Sequence, residues 1–268
     1  MTAKLIKLTP KRLANNTKFF ISVSFWFLKM VIGGWEKISM IDFPGNIATI
    51  IFTKACNFRC HFCYNPMLVL ANGEGEGKYE ESHPLIPEDD LFLFLESRHG
   101  KIDGVVISGG EPTLQPDLKD FIIKVKDLGF KVKLDTNGTN PEMVKDLVEN
   151  KLLDYIAMDV KGPLDKYEEI VSVKTDIKKI RESIDFLLED RVDYELRTTL
   201  VPGLHEISDI FVMAEELMGV KKWFLQKFKS DTDLVNNDFK DKKPFLDLEI
   251  KEAVLRVNEK IPGCKFRE

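Results

Sequence analysis

Between residues 47 and 228, six short runs rich in β-branched and aromatic residues alternate with longer amphipathic stretches. That alternation narrows the fold more than any other feature of the chain. The runs cover residues 47–53, 104–108, 131–135, 155–160, 194–201 and 222–228. Residues 118–128, 142–150, 177–188 and 208–217 carry apolar side chains at helical spacing, and each stretch precedes one of the runs. A parallel strand pair needs a crossover long enough to bring the chain back to the same end of the sheet, and a helix is the usual one. The prediction is an α/β fold, a partial (β/α)6 barrel in one domain.

Unusual residues cluster at the carboxyl ends of these runs. The three close cysteines follow the first run, Gly109 and Gly110 the second, and Asp135, Asp159 and Arg197 end or lie near the ends of later ones. In a parallel barrel those ends share one face, so residues about 140 positions apart in sequence can line one pocket.

The cysteines fix the chemistry. There are four, and Cys56, Cys60 and Cys63 fall within eight residues in the order C-x3-C-x2-C, with Cys264 far away. A disulfide framework wants more cysteines, more evenly spread, in a smaller chain. Clustered thiols point to metal in a reducing compartment, and the cytoplasm is expected. Three thiolates can hold three irons of a cubane cluster and leave the fourth open to a substrate. Zinc is the competing reading, but only half of a paired knuckle is present and His61 sits awkwardly between two ligands. Cys264 could close a cluster, although a lone cysteine is more often a buried thiol.

Gly109-Gly110-Glu111-Pro112 follows the second run. Glycines let a backbone approach a ligand closely, and Glu111 offers an acceptor to a cationic group. An ordinary tight turn is the plainer reading. Asp135 ahead of Asn137-Gly138 could shape a turn. Asp159 and Lys161 share a strand face and could form a simple ion pair. Arg197, inside an apolar run, needs a partner if buried. His83 and His205 read as exposed loop residues, and Trp223 with Phe224 as core.

Cys56-x3-Cys60-x-Phe62-Cys63 and the Gly-Gly-Glu-Pro segment together resemble the radical S-adenosylmethionine (SAM) superfamily. Asp135-Thr-Asn-Gly138, Met158-Asp-Val-Lys161, Arg197 to Gly203 and Ser39 to Gly45 look like segments of its glycyl-radical-enzyme activases. The resemblance implies a radical SAM barrel with a [4Fe–4S] cluster on Cys56, Cys60 and Cys63. It implies SAM contacts from Phe62, Gly109, Gly110, Glu111 and Asn137, and a pocket lined by Asp135, Asp159, Lys161 and Arg197. A 5′-deoxyadenosyl radical made from SAM would take a hydrogen atom from a glycine of a partner glycyl radical enzyme, an anaerobic ribonucleoside-triphosphate reductase or a related enzyme. An electron donor such as flavodoxin or ferredoxin is implied too. The alternatives are a radical SAM enzyme acting on another peptide or a small molecule, and a non-catalytic iron–sulfur or zinc protein.

Charge and termini add limits. The net charge is −5, which gives no electrostatic reason to expect nucleic acid. Lys4, Lys7, Lys11, Arg12 and Lys18 precede an apolar stretch at residues 19–28, half the ~20 residues a spanning helix needs. No small-residue cleavage site follows it. Residues 1–29 read as an upstream extension, with a membrane-surface helix left open, and 30–268 as the domain. Residues 71–84, with Gly73, Gly75 and Gly77, predict an exposed loop.

Overall fold

The computed structural model describes residues 30–69 and 84–267. The basic and apolar N-terminal segment, His83 and nearly all of the glycine-rich loop lie outside those residues. Eight strands form one sheet in sequence order: β1 (Ile32–Ser39), β2 (Ala48–Thr53), β3 (Gly104–Gly109), β4 (Lys131–Thr136), β5 (Tyr155–Asp159), β6 (Tyr194–Leu200), β7 (Trp223–Lys227) and β8 (Cys264–Arg267). β1 runs antiparallel to β2, and every later neighbour pair is parallel. The six predicted strands are β2 to β7, each within one residue or so of its predicted ends.

The helices are α1 (Pro66–Val69), α2 (Glu88–Glu96), α3 (Leu118–Asp127), α4 (Pro141–Glu149), α5 (Tyr167–Val171), α6 (Ile177–Leu188), α7 (Ile207–Glu216) and α8 (Asp247–Val257). Their starts are set locally. Asn140 caps α4 by accepting from the Met143 amide, with Pro141 in the first turn, where its missing N–H costs nothing. Asp176 caps α6 through the Lys178 amide. Among the described residues no helix is long and apolar enough to cross a membrane.

Strand periodicity sorts side chains onto two faces. Val132, Leu134, Ile156, Met158, Leu196, Trp223 and Leu225 point to the helices and enter the main core. The opposite face is the inside of the barrel. At its amino end it is apolar: Phe43 packs with Ala48, Ile50, Val106 and Tyr155 in a separate small cluster. Burying such a phenylalanine contributes roughly 2–3 kcal/mol, and here it plugs the end of the barrel remote from the cysteines. Toward the carboxyl ends the inner face turns polar, with Lys133 and Asp135 on β4, Asp159 on β5 and Arg197 on β6.

Candidate active site

The cysteine loop leaves β2 through Ala55, which takes a positive φ of 74°, and it is fastened to several elements. Ala55 donates to the Leu68 carbonyl at 2.8 Å, Cys63 to Cys60 at 3.0 Å, and Arg59 to Val171 at the end of α5 at 2.9 Å. The segment after β7 lies against the loop: Val235 donates to the Cys63 carbonyl at 2.9 Å and Asn236 to His61 at 3.0 Å. The Phe58 amide donates to Sγ of Cys56 at 3.4 Å. Phe62 is buried in the main core.

All four cysteines are free thiols. Burial pushes Cys56 up to about 11 and Cys60 up to about 12 from an ordinary 9.0, and it raises Cys63 as well. The Lys161 charge opposes this at all three. Such thiols are protonated at neutral pH, and a positive metal centre is what would favour their thiolates. No group of three or more His, Cys, Asp or Glu among the described residues is set to hold a single ion. Thiolates that each take a different iron of a cluster need not converge on one point. Cys264 lies buried on β8, five strands from β3 and away from the loop.

The glycine pair meets the cysteine loop itself. Gly109 has φ 121°, and a Cβ there would stand 2.3 Å from the Thr53 amide nitrogen. A Cβ on Gly110 would stand 2.0 Å from the Ala55 carbonyl oxygen. The close approach expected of these glycines is therefore made to protein backbone, and Gly110 N and Glu111 N complete it by donating to Thr53 and Ala55.

Glu111 is 1% exposed and its carboxylate is engaged by protein donors. Oε1 accepts from the Thr113 amide (3.1 Å), the Thr113 hydroxyl (2.6 Å) and the Thr136 hydroxyl (2.8 Å), and Oε2 from the Asn137 amide at 2.7 Å. Burial raises its pKa against those hydrogen bonds, which favour the ionised form. The carboxylate joins the turn after β3 to the turn after β4. Asn137 continues the chain: its Nδ2 donates to Asn57 at 2.9 Å and lies 4.0 Å from Sγ of Cys56.

On the other side of the barrel mouth runs a row of charges. Arg197 donates from Nε to Asp159 at 2.8 Å and from a terminal nitrogen to Asp135 at 3.3 Å. Lys161 pairs with Asp159 at 3.0 Å. Asp135 also accepts from Ser108 at 3.1 Å and pairs with Lys133. Burial works against ionising either aspartate, yet Arg197, joined by Lys133 at one and Lys161 at the other, outweighs it and holds both carboxyls below their ordinary range. The same carboxylates keep Arg197 and Lys161 cationic against burial. Asp135 is thus an ion-pair partner and not a turn former. The Asp159–Lys161 pair exists, but within a network across three strands.

Three participants were not expected. Lys133 is 2% exposed; two residues before Asp135, it shares that strand face, and this spacing was the available signal. His205 is 3% exposed, which corrects its reading as an exposed loop residue: both ring nitrogens are within hydrogen-bond distance of backbone groups. Tyr167, fully buried and bonded to the Lys161 amide, carries no sequence signal. A surface groove of about 470 Å³ on the outer helices, lined by Lys145, Arg181 and Phe186 among others, shares no residue with this site.

Residues 50–214 match the family model of the Radical SAM superfamily. A protein of Methanocaldococcus jannaschii named "Putative glycyl-radical enzyme activating enzyme" is 37% identical over 221 residues, covering 80% of this chain and 85% of that one. The pyruvate formate-lyase-activating enzyme of Listeria monocytogenes is 28% identical over 214 residues, covering 70% and 82%. The crystal structure of Streptococcus suis SuiB bound to S-adenosylmethionine shares the fold, with a TM-score of 0.57 at 16% identity over 80% of this chain and 48% of that one. The family match spans more than half the sequence, from the strand that delivers the cysteine loop to the helix after the last charged strand. The chain belongs to the radical SAM superfamily, and it is an oxidoreductase that uses a [4Fe–4S] cluster and S-adenosylmethionine.

Proposed function

We propose that this enzyme is an activase that installs a glycyl radical on a partner protein, and that the partner is an anaerobic ribonucleotide reductase. The observation that carries the activase reading is the 37% identity, over four-fifths of the chain, to a relative named for that activity. The fold is permissive: among the described residues β1 pairs with β2 alone and β8 with β7 alone, so the sheet is an open barrel whose inner face a protein loop could reach.

When bound, a reduced cluster and SAM would supply the radical chemistry that removes a hydrogen atom from the substrate. The chain does the rest. Cys56, Cys60 and Cys63 hold the irons, with Phe62, Gly109, Gly110, Glu111 and Asn137 shaping the SAM side of the loop. Asp135, Asp159, Lys161 and Arg197 offer fixed charges of both signs to the polar ends of SAM and to the backbone of a substrate loop. A row already paired and oriented needs no reorganisation when a ligand arrives. Docking of a protein loop across the open mouth would exclude water from the reacting centre. The reductant would be a flavodoxin or ferredoxin, and the setting the reducing cytoplasm.

The test is anaerobic reconstitution with iron and sulfide, then reduction by dithionite with SAM, with and without the anaerobic reductase of the same organism. Formation of 5′-deoxyadenosine together with a glycyl radical signal on the reductase supports the reading. Cleavage of SAM with no radical on that partner overturns the choice of partner and favours another peptide or a small molecule. A cluster that never cleaves SAM overturns the activase reading.

A further inference from the structure

Lys161 is held through its backbone as well as its charge. Its amide donates to the Tyr167 hydroxyl at 3.2 Å, and that hydroxyl lies 3.5 Å from the Asp159 carbonyl oxygen. Its carbonyl oxygen lies 2.8 Å from Nε2 of His205. Nδ1 of His205 accepts from the Val201 amide at 3.1 Å, so the ring proton sits on Nε2 and His205 donates to Lys161. Burial lowers the imidazole pKa and keeps the ring neutral.

Tyr167 also touches the cysteine loop. Its ring packs edge-on to Phe58, between Cys56 and Cys60, with centroids 6.2 Å apart. At the other end of α5, Val171 accepts from the Arg59 amide. One short helix therefore braces the cysteine loop with its ring and backbone and braces Lys161 with its hydroxyl. The ion pairs of the row run from side chain to side chain and involve neither Tyr167 nor His205.

We infer that Tyr167 and His205 are positioning residues that clamp the Lys161 backbone from both sides, keeping its ammonium at the barrel mouth between Asp159 and the cysteine loop. A lysine is a point charge on a flexible four-carbon stem; a fixed root is needed if that charge is to stay in one place. The inference rests on the pocket role proposed for Lys161 and not on which protein receives the radical.

The probe is S-adenosylmethionine binding to the reconstituted, oxidised holoprotein by equilibrium dialysis, with iron content and thermal midpoint recorded for each variant. Tyr167→Phe removes the hydroxyl and keeps the ring on Phe58. His205→Asn keeps an acceptor for Val201 and loses the donor to Lys161, whereas His205→Gln places an amide near the Nε2 position. Tyr167→Phe and His205→Asn are each expected to weaken binding about tenfold, with His205→Gln recovering most of it. In a Lys161→Met background the same two changes should add no further loss, because their effect runs through Lys161. Equal losses in both backgrounds mean a merely structural role and overturn the inference. So does wild-type binding by the clamp variants while Lys161→Met is weakened. Wild-type binding by Lys161→Met overturns the pocket role of Lys161 and the clamp with it. If His205→Asn fails to retain iron, Tyr167→Phe alone decides.

Discussion

A methyl group placed on Gly110 would stand 2.0 Å from the carbonyl oxygen of Ala55. No carbon makes such a contact, and the atom in the way is backbone, so either the turn after β3 or the cysteine loop has to move. Gly110→Ala is therefore expected to reduce iron incorporation several-fold on reconstitution. Gly34→Ala on β1 is the control: an added methyl there meets nothing closer than 3.4 Å. Iron and sulfide analysis of the two reconstituted variants checks the prediction, and equal cluster content in both would contradict it.

Arg197 joins two carboxylates on two different strands with one planar group. Lysine offers a point charge and cannot make both bonds in that geometry. Arg197→Leu leaves Asp135 to Lys133 and the Ser108 hydroxyl and Asp159 to Lys161, and removing one member of such a partly buried set costs about 3–5 kcal/mol. Arg197→Lys should fall between wild type and Arg197→Leu. Urea unfolding of the apo-protein measures the order; a wild-type midpoint for Arg197→Leu would show that the bridge contributes nothing to stability.

The same network sets a pH dependence. Asp135 and Asp159 are held below their ordinary pKa once folded. Their contribution to stability is therefore complete above the unfolded value of about 3.9 and is lost as pH falls below it. In Arg197→Leu the folded pKa values rise toward the unfolded ones, so less of the stability present at neutral pH depends on these carboxylates. Acid titrations of the two apo-proteins should show a smaller loss between about pH 4 and pH 2 in the variant.

The sequence was legible where periodicity and chemistry agreed. The strands β2 to β7 are apolar on at least one face and end in residues that interrupt the pattern, so their existence and their functional ends could both be read. β1 and β8 could not. Gly33, Gly34, Glu36 and Lys37 blur the alternation of an edge strand, and Cys264–Arg267 is only four residues long. Lys133 was hidden for the opposite reason: a lysine in an alternating strand reads as solvent-facing, but the inner face of this barrel is polar. His205 and Tyr167 act on backbone atoms of Lys161, and a side chain serving another residue's backbone leaves no pattern in the chain.

Glu111 gives a sharper test of how its turn is built. Its Oε2 accepts from the Asn137 amide while Oε1 serves three donors from Thr113 and Thr136. A glutamine has one acceptor oxygen, so one of these sides would face an NH2 group across a buried gap. Leaving a buried donor unpaired costs about 1–3 kcal/mol. Glu111→Gln is expected to lower the thermal midpoint of the apo-protein. An unchanged midpoint would mean that the carboxylate is not the fastener between the two turns.

The four cysteines should separate cleanly. Cys56, Cys60 and Cys63 lie on one loop, while Cys264 is buried on β8, where desolvation alone pushes its thiol up to about 12. Alanine at any of the three loop positions should abolish SAM cleavage and strip most of the iron. Cys264→Ala should keep both, at the cost of a small cavity. Because burial holds the three loop thiols protonated at neutral pH, loading the cluster must expel about three protons, one per ligand. Cluster assembly on the apo-protein should therefore become more favourable as pH rises from 7 toward 9, and the dependence should survive Cys264→Ala unchanged. If Cys264→Ala loses iron as the loop variants do, the fourth cysteine is a ligand after all, and the open iron position on which the proposed chemistry depends is gone.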